Sequence, residues 1–303
     1  MAAPVLVHPG LGLTAPVRLP KVRPPAWAGR RFWKMSGSGN DFVFIDARSE
    51  PAGELSSPEL IARFCARGTG IGADGLVQIR PSSVATIGID YWNSDGSLAS
   101  LCGNATLCAT RLAVLLQAAE SGPNGFTIET GAGVLNARMV LGGPEFDFAP
   151  VTDIQTVFEA PLVAGESRIG FAMAGVPHLV LLAEGSDGAD RVDLEGRGPG
   201  LRRHPALANG ANVNWVGRRG ASGGWAMRTF ERGVEGETLA CGTGSVAAAI
   251  LLNQWGLAGD EVALETRSGR VLTVRLGREP DGSWRPTLRG EARIVFEGTF
   301  GDV

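Results

Sequence analysis

At 303 residues with 44% apolar side chains, the chain is long enough for one large domain or two of ordinary size around a real hydrophobic core. A formal charge of −3 excludes a global basic field, so neither nucleic acid nor an anionic membrane is an expected partner, and a small molecule is. No run reaches the roughly 18 apolar residues of a spanning helix and no apolar signal core follows the first charges, so the expected location is the cytoplasm.

Residues 1–30 are proline-rich, partly basic and free of acids, and read as a flexible head or the product of a misassigned start codon rather than a targeting peptide. Lys34 lies on the first strand, "FVFIDA" reads as a short alternating strand, and "SSPELIARFCAR" as a helix. In that helix Ser57 is the N-cap, Pro58 takes the first position, and Leu60, Ile61, Phe64 and Cys65 share one face. "LVQIR" and "TIGIDYW" continue as short strands. "SLCGNATLCATRLAVLL" (100–116) opens on Cys102 and runs into a helix that is apolar nearly all round, which requires burial on every side. "FTIETGAGVLNARMV" (126–140) is two strands about a glycine turn.

The same order returns in the second part of the chain. "AMRTF" is a strand, "LACGTGSVAAAILL" (239–252) opens on Cys241 and becomes a second all-apolar helix, and "VALETRSGRVLTVRL" (262–276) is again two strands about a turn. Cys102-Gly103-Asn104-Ala105-Thr106 lies over Cys241-Gly242-Thr243-Gly244-Ser245, and Glu129-Thr130 over Glu265-Thr266, so whole units are duplicated. The expected fold is α+β: two pseudo-symmetric domains, residues 31–150 and 151–303, each a curled, mostly antiparallel sheet around a central buried helix. A pseudo-twofold axis would bring the two helix starts, each with its cysteine, face to face.

The cysteines at 65, 102, 108 and 241 contain no C-x-x-C pair and no histidine at zinc-finger spacing, so neither a structural metal nor a redox dithiol is expected. Cys65 and Cys108 read as core filling. The free N–H groups and dipole at the helix starts favour anions, lower a thiol pKa and suit a substrate carboxylate. A basic thiolate and an acidic thiol flanking one amino-acid α-carbon would invert its configuration, with the amides at 103–104 and 242–243 stabilising charge on the carboxylate.

Two cofactor chemistries compete. Gly242-Thr243-Gly244-Ser245-Val246-Ala247 fits a G-x-G-x-x-A dinucleotide fingerprint with Glu265 downstream, but "GVEGETLA" intervenes after the strand and the matching repeat lacks the glycines. A pyridoxal-phosphate racemase needs a lysine, and the only two, Lys21 and Lys34, lie near no phosphate-cradling loop. A non-catalytic amino-acid-binding protein would not need paired cysteines.

The segments "KMSGSGNDF" (34–42), "GIGADGL" (70–76), "NSDGS…LCGN" (93–104), "GVPH" (175–178), "ANVN" (211–214) and "ERGVEGETLACGTG" (231–244) resemble, in order and spacing, the signatures of the diaminopimelate epimerase family. The resemblance runs from about residue 31 to the end. It implies an isomerase needing no cofactor, with Cys102 and Cys241 as the catalytic pair, converting LL- to meso-diaminopimelate for lysine and cell-wall precursor synthesis, as a monomer or a homodimer. It further implies that Asn40, Asn93, Asn212, Glu231 and Arg232 hold the distal amino-acid centre, that Gly103, Asn104, Gly242 and Thr243 take the reacting carboxylate, and that His178 supports them. Taken alone, the asparagines read as turn or strand-end residues, Glu231 and Arg232 as a solvated pair, and His178 as a core histidine. Three departures stand out: Ala105 and Leu107 where the family reads C-G-N-G-x-R-C, Val176 where many members read G-N-P-H, and one extra residue in "ERGVEGET". Val176 bears on substrate choice and leaves open a relative acting on another amino acid.

Overall fold

A computed structural model describes residues 25–122, 124–220 and 223–301. Residues 1–24 of the proline-rich head lie outside them. The first repeat consists of β1 (Arg31–Gly37), β2 (Asn40–Asp46), α1 (Pro58–Cys65), β3 (Gly75–Arg80), β4 (Ile87–Asn93), β5 (Leu98–Ala99), α2 (Gly103–Leu115), β6 (Phe126–Thr130), β7 (Gly133–Val140) and β8 (Gly143–Asp147). After the short β9 (Ile154–Gln155) the order repeats: β10 (Glu166–Ala174), β11 (Val176–Ala183), α3 (Leu194–Arg202), β12 (Asn212–Arg219), β13 (Gly224–Glu231), β14 (Gly236–Thr238), α4 (Gly242–Gln254), β15 (Glu261–Glu265), β16 (Val271–Arg278), β17 (Trp284–Arg289) and β18 (Arg293–Thr299).

The duplication extends to strand pairing. β2 runs parallel to β3 and β4 to β6; in the second repeat β11 runs parallel to β12 and β13 to β15, and the remaining neighbours are antiparallel. The expected α+β fold of curled, mostly antiparallel strands around central helices is the fold observed, and the strand pairings join into one 18-stranded sheet. Each repeat also lends a strand to the other: β9 pairs with β10, and β18 returns to pair with β1.

α2 packs on β1, β3, β7 and β8, and α4 on β10, β11, β12, β16 and β17, so each sheet wraps its own helix. Leu107, Leu112, Val246, Ile250 and Leu251 are fully buried, each contributing about 1.5–3 kcal/mol of burial free energy. A second helix covers the outer face of each sheet. α1 starts as its sequence dictates, Ser57 Oγ accepting from Leu60 N at 3.2 Å, and packs Phe64 against Trp27 and Phe300. α3 sets Leu194 and Leu201 among Leu179, Trp215 and Phe230. The halves join where β8 pairs with β17, Phe146 opposite Leu288, directly beneath the starts of α2 and α4. Among the described residues no helix is long and apolar enough to cross a membrane.

Candidate active site

Cys102 and Cys241 are the N-caps of α2 and α4, both with extended backbones (φ −134° and −129°). The two helix starts meet through their first glycines. A Cβ on Gly103 would lie 3.6 Å from Gly242 Cα, and one on Gly242 would lie 3.5 Å from Gly103 Cα and 2.9 Å from Leu288 Cδ2. Glycine is what allows this approach. Residues 242–247, which match the fingerprint, form the start of α4 packed against the start of α2, and β14 with its turn separates them from β13. Lys34, the described lysine, is buried and paired with Asp41 at 2.7 Å, and so is not placed to form a Schiff base.

The thiols differ. Cys241 is buried; its Sγ accepts from Gly244 N at 3.3 Å and lies 3.4 Å from Thr243 Oγ1. Cys102 is half-buried beside a cavity of about 290 Å³ that Tyr91, Leu98, Ala105 and Thr130 also line. Helix-start placement alone predicts lowered thiol pKa values. Instead, burial pushes Cys102 up to about 11 despite amides of Ala105 and Asn104 that favour its thiolate, and Glu231 pushes the same way. Cys241 is held higher still by burial and Glu231, against the donors at Thr243 and Gly244. Desolvation outweighs the amide donors here. Cys65 and Cys108 are buried in the core; burial lifts Cys65 to about 12 and Cys108 further.

Of the remaining residues named from the sequence, Asn40 and Asn104 join at the start of α2 and Glu231 acts on both thiols, while the Arg232 guanidinium donates to Asn209 O at 3.4 Å. Asn104 Nδ2 donates to Asn40 Oδ1 at 2.7 Å, and Asn40 Nδ2 to Asp74 Oδ2 at 3.0 Å. Asn104 Oδ1 is buried without a protein partner, on the side facing Gly242. Asn93 sits at the end of β4, its Nδ2 on Ser97 Oγ at 3.0 Å. Asn212 Oδ1 accepts the backbone N–H of Arg232 at 2.8 Å. Burial and then the charge of Asp74 raise the Glu231 pKa, and its carboxylate is felt at both thiols. An acid pair with an arginine beside it suits an ammonium and a carboxylate. The extra residue of "ERGVEGET" is absorbed in the turn between β13 and β14, where Glu235 adopts a left-handed conformation (φ 57°).

His178 is fully buried. Its Nδ1 lies 3.1 Å from Asn214 Nδ2, which donates to it, while Nε2 has no protein partner. Burial, reinforced by the charge of Arg232, lowers its pKa to about 3, so the ring is neutral. Asn214 Oδ1 accepts from Thr229 Oγ1 at 2.9 Å and would lie 2.3 Å from a Cβ on Gly244, which fixes glycine there beside Cys241. Asp74, Tyr91, Asn214 and Thr229 were not singled out by sequence. Asp74 and Asn214 lie inside quoted motifs, whereas Tyr91 and Thr229 sit on alternating strands with nothing local to mark them.

The sequence profile of the family described as Diaminopimelate epimerase matches residues 32–151 and 170–282. A diaminopimelate epimerase of Gemmatimonas aurantiaca is 51% identical over 277 residues, covering 88% of this chain and 98% of the relative. One of Archaeoglobus fulgidus is 36% identical over 283 residues, covering 88% and 95%. Among solved structures, a phenazine biosynthesis protein of the PhzF family from Bacillus anthracis has the same fold (TM-score 0.71, 15% identity, 89% of this chain and 98% of that one). So does a hydroxyproline epimerase from Agrobacterium vitis (TM-score 0.60, 17% identity, 92% and 94%). The chain belongs to the diaminopimelate epimerase family of isomerases.

Proposed function

We propose that the protein converts LL-diaminopimelate to the meso isomer with Cys102 and Cys241 as its two bases, in the cytoplasm, supplying lysine and cell-wall precursor synthesis. The observation that carries this reading is the apposition of the two cysteine-capped helix starts across Gly103 and Gly242. The first-turn amides of each helix have no partner within the helix. A carboxylate seated between them meets N–H groups from both sides, where charge develops as the α-proton leaves. One thiolate takes that proton from one face; the opposite thiol returns its own to the other.

Burial keeps both thiols protonated in the empty site, so ionisation belongs to the substrate-bound state. A bound ammonium neutralises Glu231, whose charge otherwise opposes a thiolate. Asn93, Asn212 and Arg232 with Glu231 take the distal head group. Asn40 and Asn104, tied to Asp74, hold the proximal wall, and neutral His178 braces Asn214 behind Cys241. Val176 leaves one polar contact fewer than an asparagine would. We assign the working units to residues 31–150 and 151–303, and the exposed Ile294, Val295 and Phe296 of β18 support an assembly of two copies.

The test is isotopic. In D2O, at low conversion from the LL isomer, product should carry deuterium at the inverted carbon while recovered substrate keeps its hydrogen. Substantial original hydrogen in the product would refute two separate bases. A panel of amino acids followed by chiral chromatography tests the substrate: faster turnover of a monocarboxylic amino acid than of diaminopimelate would overturn that assignment and leave the mechanism standing.

A further inference from the structure

Tyr91, the single tyrosine of the chain, lies where two parts of the site meet. Its hydroxyl donates to Asn93 Oδ1 at 3.1 Å, its side chain lines the same cavity as Cys102, and its ring packs edge-on against Phe42 (centroids 5.9 Å apart). In the function proposed above, Asn93 takes the distal head group and Cys102 acts at the reacting centre. The phenol's one proton goes to Asn93 Oδ1, and the Cys102 sulfur stands on the same cavity wall.

We propose that Tyr91 is a positioning residue that relays occupancy of the distal pocket to Cys102. With the site empty, the phenol O–H points to Asn93 Oδ1, and the Cys102 S–H can donate to the phenol oxygen. A substrate whose distal ammonium donates to Asn93 Oδ1 takes over that acceptor. The phenol then turns its O–H to Cys102 and stabilises the thiolate, while the thiol proton leaves to solvent through the adjoining cavity. The phenol keeps its own proton throughout: burial and the charges of Cys102, Asp74 and Glu231 all oppose a phenolate. An amino acid lacking a second ammonium would leave the phenol on Asn93. The proposal rests on the two-thiol reading above.

The titratable groups facing Cys102 are Tyr91 on β4, Glu231 on β13, Cys241 at the start of α4 and Cys108 along α2. Tyr91→Phe keeps the ring contact and removes only the relay. In this variant the alkaline-rising limb of kcat should move up by about one pH unit, with kcat near neutrality falling about tenfold and KM changing less. A thermal melt matching the wild type shows that the fold is kept. An unmoved limb, whether KM rises or nothing changes, overturns the relay. Cys102→Ala separates the two ideas: near-wild-type turnover there would sink the two-thiol reading and the relay with it, whereas inactive Cys102→Ala beside an unmoved Tyr91→Phe profile would sink the relay alone.

Discussion

The two halves of the site share a backbone and differ in what stands behind each thiol. Strand register equates Phe42 with His178, Val77 with Asn214, and Tyr91 with Thr229: Val77 faces Tyr91 across β3 and β4 as Asn214 faces Thr229 across β12 and β13. Behind Cys241 these positions form a buried polar trio, with Asn214 bridging the imidazole and the threonine hydroxyl. Behind Cys102 they are two apolar side chains and a tyrosine that reaches past them to the site. The duplicated frame thus fixes where the thiols sit, and three wall positions set how each is held. Cys241 is locked by hydrogen bonds in a dry setting; Cys102 is looser, half-buried and easier to ionise.

The largest expected effect tests what the halves share. Replacing either Cys102 or Cys241 by Ala should lower epimerisation by at least about a thousandfold, a loss typical of removing an essential acid–base group, while circular dichroism and the melting transition stay close to wild type. If one variant retained near-wild-type turnover, the halves would not be equal partners in the proton transfers.

The next effect concerns their difference. Because Cys102 borders a cavity and ionises more readily, iodoacetamide should modify it about ten times or more faster than Cys241 in the empty protein, since reactivity follows thiolate fraction and access. Peptide mapping after brief labelling reads this directly. Equal or reversed labelling would show that the walls do not distinguish the thiols.

Much of the shared frame is legible in the sequence, because it rests on local signals. Ser57 and Pro58 cap α1, alternating residues and a glycine turn form β6 and β7, and two cysteines open two all-apolar helices. What escapes is set by distant contacts. α3 contains Gly196, Gly198, Pro199 and Gly200, a poor helical composition; Asp193 caps it, and Gly198 is required because a Cβ would sit 2.5 Å from Phe230. The return of β18 to β1 leaves no local mark. The site residues that the duplication repeats are visible for the same reason the frame is, but the walls are where the repeats diverge, and Tyr91 and Thr229 share no residue type to align. The thiol pKa values fail differently: a helix start is written in the sequence, and the burial that overrides it is not.

Converting one wall toward the other gives a smaller, pH-dependent effect. In His178→Phe the buried imidazole takes the residue of its counterpart, Phe42. His178 is neutral in the fold, with its pKa lowered to about 3, whereas in the unfolded chain it protonates near 6.5. The unfolded state therefore binds more protons below that pH, and wild-type stability falls as the medium is acidified from about 6.5 toward 3. Between pH 7.5 and 5 the wild type should lose about 2 kcal/mol relative to the variant. Urea denaturation of both proteins at the two pH values measures this. A constant difference would mean that the imidazole is not kept neutral by its burial.

The smallest effect separates the hydroxyls that serve the two thiols. Thr243 Oγ1 lies 3.4 Å from Cys241 Sγ, a long contact, and its methyl group lies on the side of Gly175. Thr243→Val keeps the shape and the methyl contact and removes only the hydroxyl. Gly244 N–H still donates to the sulfur at 3.3 Å, so Cys241 retains its main partner. A single weak hydrogen bond of this kind contributes about 0.5–1 kcal/mol, which corresponds to a two- to fivefold fall in kcat. The fall should be sharper in the direction in which Cys241 removes the α-proton, because that is where its thiolate must form. Initial rates measured from each isomer, with the melting temperature as a control, give both numbers. A loss beyond a hundredfold would mean that Thr243 takes part in binding the reacting carboxylate through its side chain and not only through its backbone amide.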